Sequence, residues 1–159
     1  MIKTIIADLK NENHARDFMT VLNDYAKDPM GGGAPLSDYV QNNLVSKLTN
    51  LQNHFAVLCY VDEQIAGISN CLYGFSSFKA KPLINIHDFA ILPQFRGQGL
   101  SKVLLEKVEG VARQNDCCKI TLEVLENNNK AKRVYRAFGF EGYELNPEMG
   151  KAIFWQKNL

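Results

Sequence analysis

No stretch of the 159 residues approaches the ~20 consecutive apolar positions that a membrane-spanning helix needs. The first eight, Met-Ile-Lys-Thr-Ile-Ile-Ala-Asp, hold an acid and lack the long apolar core and cleavage site of a secretory leader. A soluble, cytoplasmic protein with no membrane partner is expected. Charge of one sign is missing too: 18 Lys and Arg stand against 17 Asp and Glu, with no run of like charges. That removes the electrostatic case for nucleic acid and leaves a small partner as the expectation. Cys59, Cys71, Cys117 and Cys118 form no Cys-x-x-Cys pair, so neither a metal site nor a disulfide framework is suggested, and all four read as reduced packing residues. No repeat, low-complexity tract or linker divides the chain. One domain spanning 1–159 follows, long enough to bury about 70% of the surface its unfolded form exposes.

What the chain does contain is a passage from Ile84 to Ser101 in which an apolar strand gives way to a Gly-punctuated turn and then an amphipathic helix. Gly97 and Gly99 can take backbone conformations closed to other residues, so successive N–H groups can converge on one anion at the positive end of a helix dipole. Two familiar phosphate loops are excluded by spacing. Gly97-x-Gly99-x-x-Lys102 lacks the third glycine of the dinucleotide fingerprint, and no Gly-Lys-Ser/Thr run is present.

The remainder alternates strand and helix patterns. Residues 2–7 have the β-branched content of a strand; from His14 the apolar positions Ala15, Phe18, Met19, Leu22, Tyr25 and Ala26 recur at helical spacing, with Asn13 as N-cap. Asp28 to Pro35 holds two prolines and three glycines, cannot continue the helix, and is expected to be a mobile loop. Ser37 caps a second helix through Val40, Leu44, Leu48 and Leu51. Strands are predicted over 55–61, 65–75 and 83–92, the first two as a hairpin turning at Asp62-Glu63-Gln64. A third helix carries Leu100, Leu104, Val108 and Val111 on one face and Lys102/Glu106 and Glu109/Arg113 pairs on the other. A fifth strand alternates from Lys119 to Val124. The Asn127-Asn-Asn129 run opens a fourth helix that Gly139 ends, and two last strands, around 140–145 and 152–156, are expected to pair.

Gln94-x-x-Gly97-x-Gly99, preceded by Pro93 and followed by Leu100, Leu104 and Leu105, resembles motif A of the GCN5-related N-acetyltransferase (GNAT) superfamily. Downstream, Leu122-Glu123-Val124 and then Asn128-x-x-Ala131-x-x-x-Tyr135-x-x-x-Gly139-Phe140 is similar to that superfamily's second core block. Two blocks in the right order carry the resemblance over roughly 84–143. It implies the α/β (α+β) GNAT fold: a mixed, mostly antiparallel sheet of six to seven strands flanked by about four helices, in the order βααβββαβαββ.

The resemblance also implies acetyl-CoA as co-substrate and direct transfer to a primary amine of a small molecule or peptide through a ternary complex, with no metal. Gly97, Gln98, Gly99, Leu100, Ser101 and Lys102 would hold the pyrophosphate, with the Arg96 side chain adding charge. The pantetheine arm would run along the backbone of Phe89, Ala90 and Ile91, near a β-bulge. Asn128, Ala131 and Tyr135 share one face of the fourth helix. That face would look at the thioester, with Tyr135 as general acid for the leaving thiolate because a hydroxyl at ~10 can protonate a thiolate near ~8.5. Asn128 is equally suited to be a helix N-cap. An acceptor amine with a pKa of ~10.4 must lose a proton at pH 7, a cost of about 4.6 kcal/mol. His87 and Asp88 are the candidate bases, with Glu123 or water behind them. The polyamine N-acetyltransferase branch is similar here but has Glu-Asp at these two positions, so His87 stands where that branch has a carboxylate. An undistorted strand sends only one of the pair into a cleft.

Two other classes compete. One is a non-catalytic acyl-CoA sensor of the same fold, against which Tyr135 argues. The other is a Cys71–His87–Asp88 acyltransferase working through a covalent intermediate. A homodimer is possible by resemblance. The acceptor's identity stays open.

Overall fold

The computed structural model describes residues 1–144 and 146–159, which fall into two units, 1–122 and 123–159. The first unit is a five-stranded sheet in the order β1-β2-β3-β4-β5 with helices on both faces. Its elements are β1 (Ile2–Ile6), α1 (Glu12–Lys27), α2 (Asp38–Thr49), β2 (His54–Val61), β3 (Gln64–Ser76), β4 (Lys81–Ile91), α3 (Leu100–Gln114) and β5 (Ile120–Leu122). β1 to β4 pair antiparallel in succession, and β5 joins β4 in parallel.

One face of the sheet buries Ala56, Leu58, Ile68 and Ala90 against Phe18, Val21 and Leu22 of α1 and Leu48 of α2. The other face is covered by α3 through Leu100, Leu104, Leu105, Val108 and Ala112, the stripe its spacing predicts. Close approach on that side depends on Gly67. A Cβ there would lie 2.7 Å from the Ala90 carbonyl oxygen and 3.3 Å from Leu104 Cδ1, as well as against Ile91 Cδ1. The hairpin between β2 and β3 turns in two residues, Asp62 and Glu63, with φ of 46° and 65°, the left-handed pair of a type I′ turn.

Several expectations need correction. The first helix begins two residues early because Asn11, not Asn13, is the cap: its Oδ1 accepts from the N–H groups of Asn13 and His14. The segment after α1 is a loop, as expected, and its turns fold back on themselves. The Asp28 carbonyl accepts from the N–H groups of Gly31, Gly32 and Gly33, and Leu36 N–H donates to Asn23 Oδ1 at 2.9 Å. Gly31 packs so closely on Tyr25 that a Cβ would meet the Tyr25 backbone. The fifth strand is three residues long, so Glu123 and Val124 lie beyond it.

The second unit holds α4 (Asn129–Ala137). Asn128 is its N-cap, with Oδ1 accepting from Ala131 N–H at 3.1 Å. At the other end Gly139, at φ 101°, allows Gly139 N–H to reach the Arg136 carbonyl and Phe140 N–H the Tyr135 carbonyl at 2.9 Å. Those two bonds form a Schellman motif, and the Tyr135 and Phe140 rings, 5.9 Å apart, supply its apolar contact. The expected terminal hairpin is reduced, among the described residues, to one antiparallel bridge between Glu144 and Lys151 with Ala152 N–H donating to Tyr143. Pro147 opens a short 3-10 turn that ends at Gly150, φ 79°, and connects the two sides of that bridge. Leu145, which the sequence places in that hairpin, lies outside the described residues. Among the described residues the sheet has five strands in place of the expected six to seven, and the order βααβββαβα is reproduced without the last two strands.

Candidate functional site

Where β4 ends, Pro93 to Phe95 form one 3-10 turn and the chain then passes through Gly97 and Gly99 at φ 82° and 77°. Gly99 caps α3 without a side chain, so the cradle is made of backbone alone. Among the described residues, the N–H groups from Gly97 to Ser101 donate to no protein group, whereas Lys102 N–H turns back to the Gly99 carbonyl at 3.0 Å. No atom lies within 4 Å of where a Cβ would stand on either glycine, so the concavity is open. Five donors at a helix N-terminus with room in front of them suit a pyrophosphate. Leu100 is buried and anchors the helix start, while Ser101 is half-buried and the exposed Lys102 ammonium lies 3.7 Å from Glu106.

Arg96 does something the sequence did not suggest. Its Nε donates to the Ile91 carbonyl at 3.0 Å and Nη2 donates to Asp28 Oδ2 at 3.3 Å, tying the donor loop to the segment that follows α1. Beside it Val21, Asp24, Tyr25, Ala90, Ile91, Leu92 and Arg96 line a shallow depression with no enclosed room for a water.

The strand leading to the turn carries the expected distortion. Asn70 pairs with Asp88, but its neighbour Cys71 pairs with Ile86, so His87 is the extra residue of a β-bulge. The ladder with β5 covers only Ile84 to Ile86, and β4 runs on to Ile91, past the end of β5. The bulge also reverses side-chain alternation. Ile84 and Ile86 share a face with Cys71, whereas Asp88 and Ala90 share one with Asn70 and Ile68, toward α1. His87 is left exposed, and Asp88 is half-buried beneath Tyr25.

Asp88 does not stand alone. Asn70, 5% exposed in mid-strand, donates Nδ2 to Asp88 Oδ2 at 2.7 Å, and its Oδ1 lies 2.7 Å from His54 Nε2. Burial holds His54 below the ordinary imidazole range, with the Asn70 hydrogen bond opposing in part. Tyr25 is pushed up by burial and then by the Asp88 and Asp28 carboxylates. His54, Asn70, Tyr25 and Asp28 were all missed from the sequence. The one visible signal was a Ser-Asn pair inside the otherwise apolar run of β3.

The Cys71 arrangement is not a nucleophilic site. Its side chain is fully buried on the face opposite Asp88, bonded to Ser69 Oγ at 3.2 Å, and desolvation pushes the thiol up to about 12. Thiolate at neutral pH is negligible. All four cysteines are free thiols, and no cluster of three or more metal-ligating side chains occurs among the described residues. No helix among them is long and apolar enough to cross a membrane. In the second unit, Asn128 is engaged as a cap, Ala131 N–H is its donor, and half-buried Tyr135 packs edge-on against Phe140.

Comparison with known proteins agrees with this geometry. The thialysine N-epsilon-acetyltransferase of Bos taurus is 31% identical over 75 residues, covering 47% of this chain and 44% of that protein. The uncharacterized N-acetyltransferase YhfO of Bacillus subtilis is 29% identical over 93 residues, covering 57% and 62%. This chain thus spans less than two thirds of the length of either. Among solved structures, a probable acetyltransferase superposes with a TM-score of 0.81 at 17% identity over 99% of both chains. AAC(6')-Iy, in complex with the bisubstrate analog CoA-S-monomethyl-acetylneamine, superposes with a TM-score of 0.76 at 16% identity over 100% of this chain and 99% of that one. At such identities these likenesses show the fold. The family profile matches residues 15–140, across both units, and on that match the chain belongs to the acetyltransferase (GNAT) family.

Proposed function

We propose that the protein is an N-acetyltransferase that moves the acetyl group of acetyl-CoA directly to a primary amine of a small molecule or peptide, the whole chain acting as one domain. The observation that carries this reading is the open row of N–H donors from Gly97 to Ser101 at the head of α3, next to a β4 edge that outruns β5. Family membership supports it, as does a solved relative of the same fold bound to a CoA-containing bisubstrate analog. Cationic acceptors are favoured by the same comparisons: one curated relative is named for thialysine, another solved structure is an aminoglycoside acetyltransferase. No observation supports the sensor alternative.

In the transfer, a bond forms between the amine nitrogen and the acetyl carbon, and the carbon–sulfur bond breaks. The protein must remove one proton from nitrogen and return one to sulfur. Asp88 is our assignment for the first task, directly or through a water, because the bulge turns it toward α1, beneath Tyr25. His87 sits exposed at the bulge itself and is less suited. Tyr135 is our assignment for the second, by its place in the second core block. The backbone of 97–101 holds the pyrophosphate, Arg96 braces the acceptor-side segment through Asp28, and Asn128 orders the start of α4 for Ala131 and Tyr135 to follow. A panel of polyamines, aminoglycosides and peptide N-termini, followed by CoA release, tests the reading. Turnover with at least one amine is expected; acetyl-CoA hydrolysis alone, or none, contradicts it.

A further inference from the structure

Resting on the functional reading above, the geometry points to Asn70 and His54 as positioning residues that hold Asp88 in the orientation in which it takes the acceptor's proton. The three side chains come from adjacent strands, β2, β3 and β4, and form one chain of hydrogen bonds on the α1 face of the sheet.

Chemistry sets its direction. An ionised carboxylate only accepts, so the amide nitrogen of Asn70 must face Asp88 and its oxygen must face His54. His54 must then carry its hydrogen on Nε2. Burial lowers the His54 pKa and so favours its neutral form, in which it enters as an oriented dipole. Asn70 is buried to 5% exposure, and both ends of its amide are used, which leaves it no second orientation. Of the Asp88 oxygens, Oδ2 is taken by Asn70, and among the described residues no hydrogen bond engages Oδ1. Oδ1 is thus the oxygen presented for proton transfer, in which an N–H bond of the acceptor breaks and an O–H bond forms. A bulge at His87 is needed to bring Asp88 into register with Asn70, which ties the distortion of β4 to this contact.

The titratable groups on the Asp88 side are Tyr25 of α1 and, through Asn70, His54 of β2; Asp28 faces Tyr25, and Cys71 of β3 acts on Asp88 only from the opposite face of the sheet. Tyr25 is raised above its ordinary range and Cys71 lies at about 12. Both stay uncharged below pH 9, so any change that Asn70 makes to a rate profile there reports on Asp88 and His54.

Three measurements decide. Nitrogen NMR of the native protein should find neutral His54 as the Nε2–H tautomer, and the Nδ1–H tautomer would overturn the relay even if no amine proved to be a substrate. Asn70→Asp replaces the donor with a like charge, so the acid limb of the pH–rate profile should rise by about one unit or more with the fold intact. Loss of rate with the limb unmoved would reduce Asn70 to a structural residue. His54→Leu should lower kcat by roughly 10- to 100-fold at little cost in KM, and His54→Gln, which keeps a donor to Asn70, should restore most of it. Equal rates in those two variants would remove His54 from the chain. If no amine is acetylated by the native protein, the functional reading fails, and the tautomer alone judges the hydrogen-bond chain.

Discussion

Arg96 Nη2 reaches Asp28 Oδ2 at 3.3 Å, joining residues 68 positions apart and linking the donor loop to the compact turn that follows α1. Both side chains are about one-third exposed, 34% and 28%, so solvent screens the pair. A double-mutant cycle with Arg96→Gln and Asp28→Asn should therefore give a coupling of only about 0.5–1 kcal/mol in denaturant unfolding. The kinetic consequence is expected on the acceptor side, as a raised acceptor KM with acetyl-CoA affinity altered less than threefold. A coupling near zero together with unchanged acceptor KM would mean that the pair braces nothing.

Tyr135→Phe keeps the ring contact with Phe140 and the Schellman motif while removing the hydroxyl. The variant should keep its acetyl-CoA affinity and lose roughly 10²-fold or more in kcat. Equal turnover in the two proteins takes Tyr135 out of the chemistry.

Gly67→Ala should be among the most damaging single changes in the sheet. The added methyl meets the Ala90 carbonyl at 2.7 Å, and backbone atoms cannot step aside as a flexible side chain can. A loss of about 2–3 kcal/mol is expected by chemical denaturation. An unaffected midpoint would show that β4 yields at Ala90 and Ile91.

Much of this was legible beforehand, and what was missed has physical causes. Helices α2 to α4 announced themselves through caps and apolar spacing: Ser37 does accept from Val40, Asn128 from Ala131, and Gly139 does end α4. The donor turn was legible because glycines at positive φ leave a spacing in the chain. The Asn70–Asp88 contact was not, since it joins positions 18 apart through a bulge, and a bulge has no composition of its own. For the same reason the choice between His87 and Asp88 stayed open. The Asp28–Pro35 segment was legible as a loop from its prolines and glycines, but not the turn in which three N–H groups close on the Asp28 carbonyl. The terminal hairpin was over-read: alternating residues suggested two strands, of which one bridge, Glu144 to Lys151, is present among the described residues.

Alkaline pH should destabilise the fold. Cys71 rises from 9.0 to about 12, and burial also raises Cys59, Tyr25, Tyr60 and Tyr73. A group whose folded pKa lies above its unfolded one contributes stability that is complete below the unfolded value and disappears as pH climbs toward the folded one. Stability should thus fall between pH 9 and about 12. His54, depressed by burial, works at the other end, contributing above its unfolded value and losing that contribution as pH drops below 6.5. Denaturant midpoints across pH check both limbs, and a flat alkaline limb would contradict the burial of these thiols and phenols. Alkylation of the native protein at pH 8 should spare Cys71 and leave turnover intact; modification of Cys71 with loss of activity would revive a thiol mechanism.

Calorimetric titration with acetyl-CoA, on the native protein and on a Gly97→Val/Gly99→Val variant, tests the central claim most directly. Both glycines are at positive φ with open space around them, so the substitutions strain the turn and obstruct the cradle without touching the core. The account predicts micromolar binding by the native protein, lost in a variant that still melts cooperatively. Absence of binding to the native protein, or equal binding by the folded variant, contradicts it.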